Sequence, residues 1–515
     1  MATQAFTRTK KEPTRQTVLF LLGFLVLLIL GGCRPSQPTP APWAEQEKAM
    51  RPAYASLLSL PALHRAPSYR IRAALDLSQR RLTGEAHIRV TNRTQHPWTT
   101  VVLRLYPNLT HYGGRMDITL LQADASPLPF TYNESHTAAL GELPKLLEPG
   151  EEVDLHVRFV TRYRTWNLKG YWLFGEREGL LNLPLAYPVL AVPNEDGTWK
   201  VDEGIPLGDT LVAESSFYHA WVTVPATMTL VSSAVVSATQ TYTDTTAVTY
   251  ELISGPAREL TLLLAPYYDV KQRTVNDVLV RSYHFIGDDE AGAAALDYAS
   301  AALQVYSRHF APYPFAKMDI AEAMLLNRGM EYPTLTELGE NLYGSERRKL
   351  EFLVAHEVAH QWWYNQVGND QIREPWLDEG LTEYSTYYYY QDIYGRDDAE
   401  AVLHNRWEIP LRYIRNKGLD APLGLPAKAY TRENYETIVY GKGALFFHTL
   451  RRRLGDTVFE QVLREYLKRY RFRIATGRDF QRVVEEVSGQ DVSDLFETWV
   501  YGSPNPTHVN PPEDR

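Results

Sequence analysis

The residues Leu350–Trp363 run Leu-Glu-Phe-Leu-Val-Ala-His-Glu-Val-Ala-His-Gln-Trp-Trp. Residues four apart on a helix share a face one turn apart, so a helix here presents the imidazoles of His356 and His360 together. Two neutral imidazoles suit a zinc ion, and Glu357 between them can address a water on that ion. The same pattern also fits an amphipathic helix carrying two hydrogen-bonded histidines. A third ligand separates the two readings, and the acids downstream are Asp370, Glu374, Asp378, Glu379 and Glu383. The stretch Pro375–Tyr384 opens a second helix at its proline. An acid near the start of that helix, packed against the first, could complete a tetrahedral site.

His356-Glu357-x-x-His360, eighteen intervening residues and then Glu379 within Trp-Leu-Asp-Glu-Gly resembles the aminopeptidase N-like family of zinc metallopeptidases. The metzincin spacing is excluded, because it needs Gly three and His six residues after the second histidine and Trp363 and Gln366 stand there. The resemblance implies one zinc ion held by His356, His360 and Glu379 with its fourth position open, as in catalytic rather than structural sites. It implies Glu357 as the base that takes a proton from water and returns it to the leaving amine.

Upstream, Asn327-Arg328-Gly329-Met330-Glu331-Tyr332-Pro333 is similar to the family's Gly-x-Met-Glu-Asn. There the glutamate binds the substrate's α-amine, which implies Gly329, Met330 and Glu331 as the substrate-binding edge. A carboxylate facing an ammonium makes a charge-assisted bond that an internal peptide segment cannot make. The match is approximate: Arg328 occupies the motif's glycine position and Tyr332 its asparagine. The family's second amine anchor, in the β domain, has no counterpart near Leu181–Pro193. Tyr440-Gly441-Lys442-Gly443-Ala444 resembles the family's Tyr-x-Lys-Gly-Ala, which implies that the Tyr440 hydroxyl donates to the tetrahedral intermediate. Tyr435 is the competitor. Glu383, one turn after Glu379, either buttresses a ligand histidine or is solvated or structural. Tyr387–Tyr390, Trp362 and Trp363 read as packing residues.

These residues need a scaffold, and 515 residues are too many for one core. From Tyr69 to Ile286 the pattern has period two, as in Ala86-Ile88-Val90, Val101-Leu103-Leu105, Val153-Leu155-Val157-Phe159 and Val248-Tyr250-Leu252. Beyond Gly287 it turns helical, with segments over 291–310, 346–366, 376–394, 440–454, 456–470, 478–488 and 492–500 and a small sheet near 311–335. Gly368, Gly395, Gly455 and Gly489 fall just past helix ends, where a left-handed residue is favoured. The expected fold class is α+β multidomain: an N-terminal antiparallel β-sheet domain, 51–286, then a thermolysin-like, mostly α-helical catalytic domain, 287–506, and a tail, 507–515. The resemblance spans about Tyr69–Pro506 and stops where family catalytic domains tend to end, which implies an open cleft without the helical C-terminal domain of longer members.

Ahead of the body, Lys10, Lys11 and Arg15 precede an apolar run from Val18 to Leu30. Thirteen residues fall short of the roughly 20 that span a bilayer, and the pattern is that of a secretory signal. Leu30-Gly31-Gly32-Cys33 resembles the lipobox of bacterial lipoproteins, which implies a signal peptide over 1–32, a lipid on Cys33 and an extracytoplasmic, membrane-anchored body. An uncleaved anchor is the alternative. The stretch 33–50, with four prolines between Pro35 and Pro42, is a semi-rigid spacer. Cys33 is the single cysteine, which excludes an internal disulfide framework. The net charge of −9, with no basic stripe, argues against nucleic acid as a partner. No signal sets an oligomeric state. The expected function is a zinc aminopeptidase acting on peptides with a free N-terminus. Left open are an endopeptidase or dipeptide-restricted peptidase and, from a different class, a membrane-tethered binding protein with an idle zinc site.

Overall fold

Alternating apolar residues build the first half. In the strand Arg81–Thr91, Ala86, Ile88 and Val90 are buried, and in Glu152–Arg162 so are Val153, Leu155, Val157 and Phe159. The computed structural model describes residues 44–167, 172–241, 246–326 and 328–502. The expected signal peptide, Cys33, most of the spacer and the tail lie outside the described residues. No helix among the described residues is long and apolar enough to cross a membrane.

The largest sheet orders its strands 235–241, 247–253, 217–225, 68–76, 81–91, 152–162, 115–123 and 126–127. All neighbours are antiparallel except Ser68–Asp76 beside Phe217–Pro225, which run parallel. Two four-stranded sheets complete this half, and their inward faces share one core with the large sheet, centred on residues such as Ile88, Leu103, Leu155, Leu183 and Leu264.

The second half is built on a five-stranded sheet in the order 268–275, 278–285, 317–323, 335–339 and 329–330. Its first two strands precede residue 287, the boundary expected from sequence: Val278–Phe285 runs parallel to Lys317–Ala323. A parallel pair needs a crossover, and the helix Asp289–His309 provides it. Gly329–Met330 forms a two-residue edge, antiparallel to Leu335–Gly339.

Helices pack beside this sheet. The helix expected over 346–366 ends as an α-helix at Ala359 and continues as a π-turn through Gln361–Gln366, with Trp363 at φ −106° and ψ 50°. Pro375–Ile393 follows, packed against it. A helical pair over Arg396–Val402 and Ile409–Asn416, joined by a π-turn at Leu403–Glu408, has no counterpart in the sequence reading. Trp362, Trp363 and Tyr387–Tyr389 are core residues, as expected. Gly395, Gly455 and Gly489 have positive φ, whereas Gly368 lies in the short strand Val367–Gly368. There a Cβ would come within 2.1 Å of the Arg258 guanidinium carbon.

Arg258 ties the two halves together. Its Nε donates to the Tyr364 carbonyl at 2.5 Å, Nη1 to Ala213 at 2.8 Å and Nη2 to Arg473 at 2.9 Å. The π-turn after His360 is thereby fastened to the end of a loop, Gly204–Ala213, that descends from the β half.

Candidate active site

His356 and His360 leave one face of the helix Leu350–Ala359, and Glu379 leaves the first turns of Pro375–Ile393. His356 Nε2 and His360 Nε2 are 3.3 Å apart, and Glu379 Oε2 lies 3.4 and 3.3 Å from them. A tetrahedral ion with bonds of about 2.0–2.1 Å has edges of roughly 3.3–3.4 Å, so the donor triangle is the size that zinc requires. Glu379 Oε2 is buried and carries no hydrogen bond from any described residue. Burial pushes a carboxylic acid up, yet the two imidazoles outweigh it and hold the Glu379 carboxyl below the usual range.

Each imidazole is oriented from behind. His360 Nδ1 is 2.8 Å from Asp378 Oδ1, and Gln371 Nε2 donates to the other Asp378 oxygen at 2.7 Å. His356 Nδ1 faces Glu383 Oε2 at 2.9 Å. Glu383 is in turn held by Arg406 Nε at 2.7 Å and Trp407 Nε1 at 2.9 Å, both on Oε1. Carboxylates on both outer nitrogens fix the tautomer that leaves each Nε2 lone pair for a metal. Of the two roles open for Glu383, the structure gives it the buttressing one.

Glu357 stands beside this triangle with Oε2 buried and without a hydrogen bond among the described residues. Burial pushes its carboxyl up to about 7, the range suited to accepting and returning a proton near neutrality. The edge strand runs tightly against it: a Cβ on Gly329 would lie 2.1 Å from Glu357 Oε1. This is why glycine directly precedes Met330. Met330 is buried in the core beneath the edge strand, among Met324, Leu325 and Leu335.

Glu331 is buried, and ligand-type atoms of Glu331, Glu357 and His360 lie within 4.8 Å of one another. Its neighbour from the β half is Asp209, which sequence reasoning missed. Burial and then the Glu379 charge push Asp209 up to about 7, with Glu331 acting to lower it, and burial and then the Asp209 charge raise Glu331. Gly208 permits the loop's approach, because a Cβ there would meet the Tyr435 hydroxyl at 2.1 Å. Tyr435 thus props the loop, whereas the Tyr440 hydroxyl donates to Glu379 Oε1 at 2.6 Å. Between these tyrosines the geometry favours Tyr440. Its reach depends on a bare contact between helices: a Cβ on Gly380 would come within 2.9 Å of the Gly443 Cα, and one on Gly443 within 2.8 Å of the Gly380 Cα.

A histidine pair and a glutamate from the next helix converge on one point, with a buried glutamate beside them, the donor set and base that metal-dependent hydrolysis requires. Residues 294–499 match the peptidase family M1 domain. Aminopeptidase M1-B from Oryza sativa subsp. japonica is 28% identical over 251 residues, covering 45% of this chain and 28% of the relative. Aminopeptidase N from Lactococcus lactis subsp. lactis is 28% identical over 222 residues, covering 40% and 26%. The match thus spans less than a third of each of these relatives. The fold is shared with the M1 zinc metallopeptidase from Deinococcus radiodurans at a TM-score of 0.64 and 19% identity, covering 88% of this chain and 97% of that one.

Proposed function

We propose that this protein is a zinc aminopeptidase that removes the first residue from peptides. The observation that carries the reading is the meeting of the Asp209 and Glu331 carboxylates beside Glu357 and His360. A buried acid, Glu331, beside a half-buried one, Asp209, invites a cation between them, and a peptide's α-ammonium satisfies both. An internal segment leaves them uncompensated, which argues against an endopeptidase. An idle binding site would need neither the base nor the Tyr440 hydroxyl.

His356, His360 and Glu379 would hold the zinc, which when bound polarises a carbonyl and lowers the pKa of water. The residues do the rest. Asp209 and Glu331 fix the amine, and so register the first peptide bond. Glu357 takes the proton of the attacking water and delivers it to the leaving nitrogen. The Tyr440 hydroxyl would turn its single proton from Glu379 Oε1 to the developing oxyanion.

The test is hydrolysis of aminoacyl-anilides beside their N-acetylated forms, with Glu331→Ala and Glu357→Gln as comparisons. The expected result is cleavage of the free-amine series alone, lost in Glu357→Gln and weakened in Glu331→Ala. Equal cleavage of acetylated substrates overturns the exopeptidase reading.

Location belongs to the same proposal. The basic residues before Val18–Leu30 and the Leu30-Gly31-Gly32-Cys33 segment support a bacterial lipoprotein anchored through Cys33 outside the cytoplasm. Mass analysis of the mature N-terminal peptide should find acyl groups on Cys33, and Cys33→Ser should release the protein from membranes. An unmodified Cys33 overturns this.

A further inference from the structure

A second group of potential ligands lies on the other side of the catalytic sheet. Asp269 and His284 are cross-strand partners in the antiparallel pair Tyr268–Val275 and Val278–Phe285. Asp289 is the first residue of the helix Asp289–His309, four residues after the second strand ends. Ligand-type atoms of the three side chains lie within 4.8 Å of one another.

His284 makes this more than a pair of surface acids. It is fully buried, and its Nε2 has no hydrogen-bond partner. Nδ1 lies 3.4 Å from the Ser282 carbonyl, and the tautomer in which Nδ1 donates there leaves the Nε2 lone pair for a ligand. That lone pair faces Asp289 Oδ1 at 3.7 Å. Nitrogen and carboxylate lone pairs converging on one point repel unless a cation lies among them, a place the Lys271 ammonium serves in part from the solvent side of Asp289.

The ring is also seated by design of the backbone. Gly292 lies inside the helix, where glycine is less favourable than alanine. A Cβ there would stand 2.3 Å from His284 Nδ1. The glycine therefore opens the slot that holds the imidazole against the carboxylates. Asp269 Oδ1 accepts from the Val270 backbone at 2.7 Å and leaves its second oxygen available. Asp289 Oδ1 receives Lys271 Nζ at 3.2 Å, an exposed contact that a bound ion would displace.

We propose that Asp269, His284 and Asp289 form a second, surface-accessible site for a divalent transition ion, separate from the catalytic centre. One imidazole with two carboxylates suits zinc, cobalt, nickel or manganese rather than calcium or magnesium, which take oxygen ligands alone.

Calorimetric titration of the metal-stripped full chain with Zn2+ at pH 7.5, beside an Asp269→Asn/Asp289→Asn double variant, tests this. Both substituted side chains are exposed, so the fold is retained, and the difference between the two titrations carries the result whatever the catalytic centre binds. The expected result is one zinc equivalent fewer in the double variant. Gly292→Ala, which displaces the ring and spares both acids, should lose the same equivalent. Lys271→Ala, by removing the competing cation, should tighten it by up to about fivefold, the worth of a surface ion pair. Equal stoichiometry in the wild type and the double variant overturns the proposal, and so does loss of the equivalent in the double variant but not in Gly292→Ala.

Discussion

The Tyr440 hydroxyl donates to Glu379 Oε1 at 2.6 Å, so the proposed oxyanion donor and the proposed third zinc ligand are fastened to each other. Tyr440→Phe should therefore lower kcat by about 10²–10³-fold, the usual loss for one oxyanion donor, with KM little changed. Tyr435→Phe should leave kcat within a few-fold. Steady-state kinetics on a free-amine anilide distinguishes them, and the reverse order would reassign the roles.

Asp209→Asn should reduce kcat/KM for free-amine substrates by about 10- to 100-fold, since a hydrogen bond to a charged group contributes roughly 1.5–3 kcal/mol. The preference over acetylated substrates should shrink in proportion. An unchanged preference would remove Asp209 from amine recognition.

Gly329→Ala puts a methyl group where Glu357 Oε1 now lies. A displacement of about 1 Å at a catalytic group can cost 10²-fold, and kcat should fall by that order while zinc content stays at the wild-type level. Full activity in this variant would mean that the edge strand yields freely.

Arg406→Ala and Trp407→Phe each delete one donor to Glu383, without touching a ligand. Zinc affinity, read by chelator competition, should weaken by about 10- to 100-fold in each. The melting temperature of the stripped protein should hold for Trp407→Phe, which keeps the ring packing. Unchanged affinity in both would leave Glu383 a purely structural group.

Glu337 offers a pH test outside the active site. Burial pushes its carboxyl up to about 8, with only Asn182 Nδ2 donating to it, at 2.6 Å. The folded form keeps the proton between the ordinary value of 4.5 and about 8, where the unfolded chain has released it. Its contribution is therefore fully present below 4.5 and lost as pH rises through 8. Melting temperatures across this window should fall less steeply for Glu337→Gln than for the wild type. Parallel curves would contradict the assignment.

The proposed histidine ligands were legible in the sequence because a helix converts a spacing of four into adjacency, whereas Glu379 was singled out from five downstream acids by the resemblance of its motif. Glu331 and Tyr440 were legible through a resemblance of local motifs. Asp209 was not, because it reaches the site on an irregular loop from another sheet, and nothing in Gly204–Ala213 marks its destination. Arg406 and Trp407 were hidden for a different reason. Pro410, just after the π-turn that carries them, interrupts the helical pattern that would have shown the segment to be structured. Period two announced the strands at 268–285 but not which sheet they join, since pairing depends on partners far along the chain.

Gly380 adjoins Glu379, and Gly443 lies within a turn of Tyr440, so the interval between ligand and hydroxyl is gauged by bare backbone laid on bare backbone. That is the stiffest ruler available to a protein. A side-chain contact can absorb an error by changing rotamer, but here no rotamer exists to change. The calibration of the chemistry consequently resides in two positions that need never meet a substrate, and even one added methyl group at either would alter it.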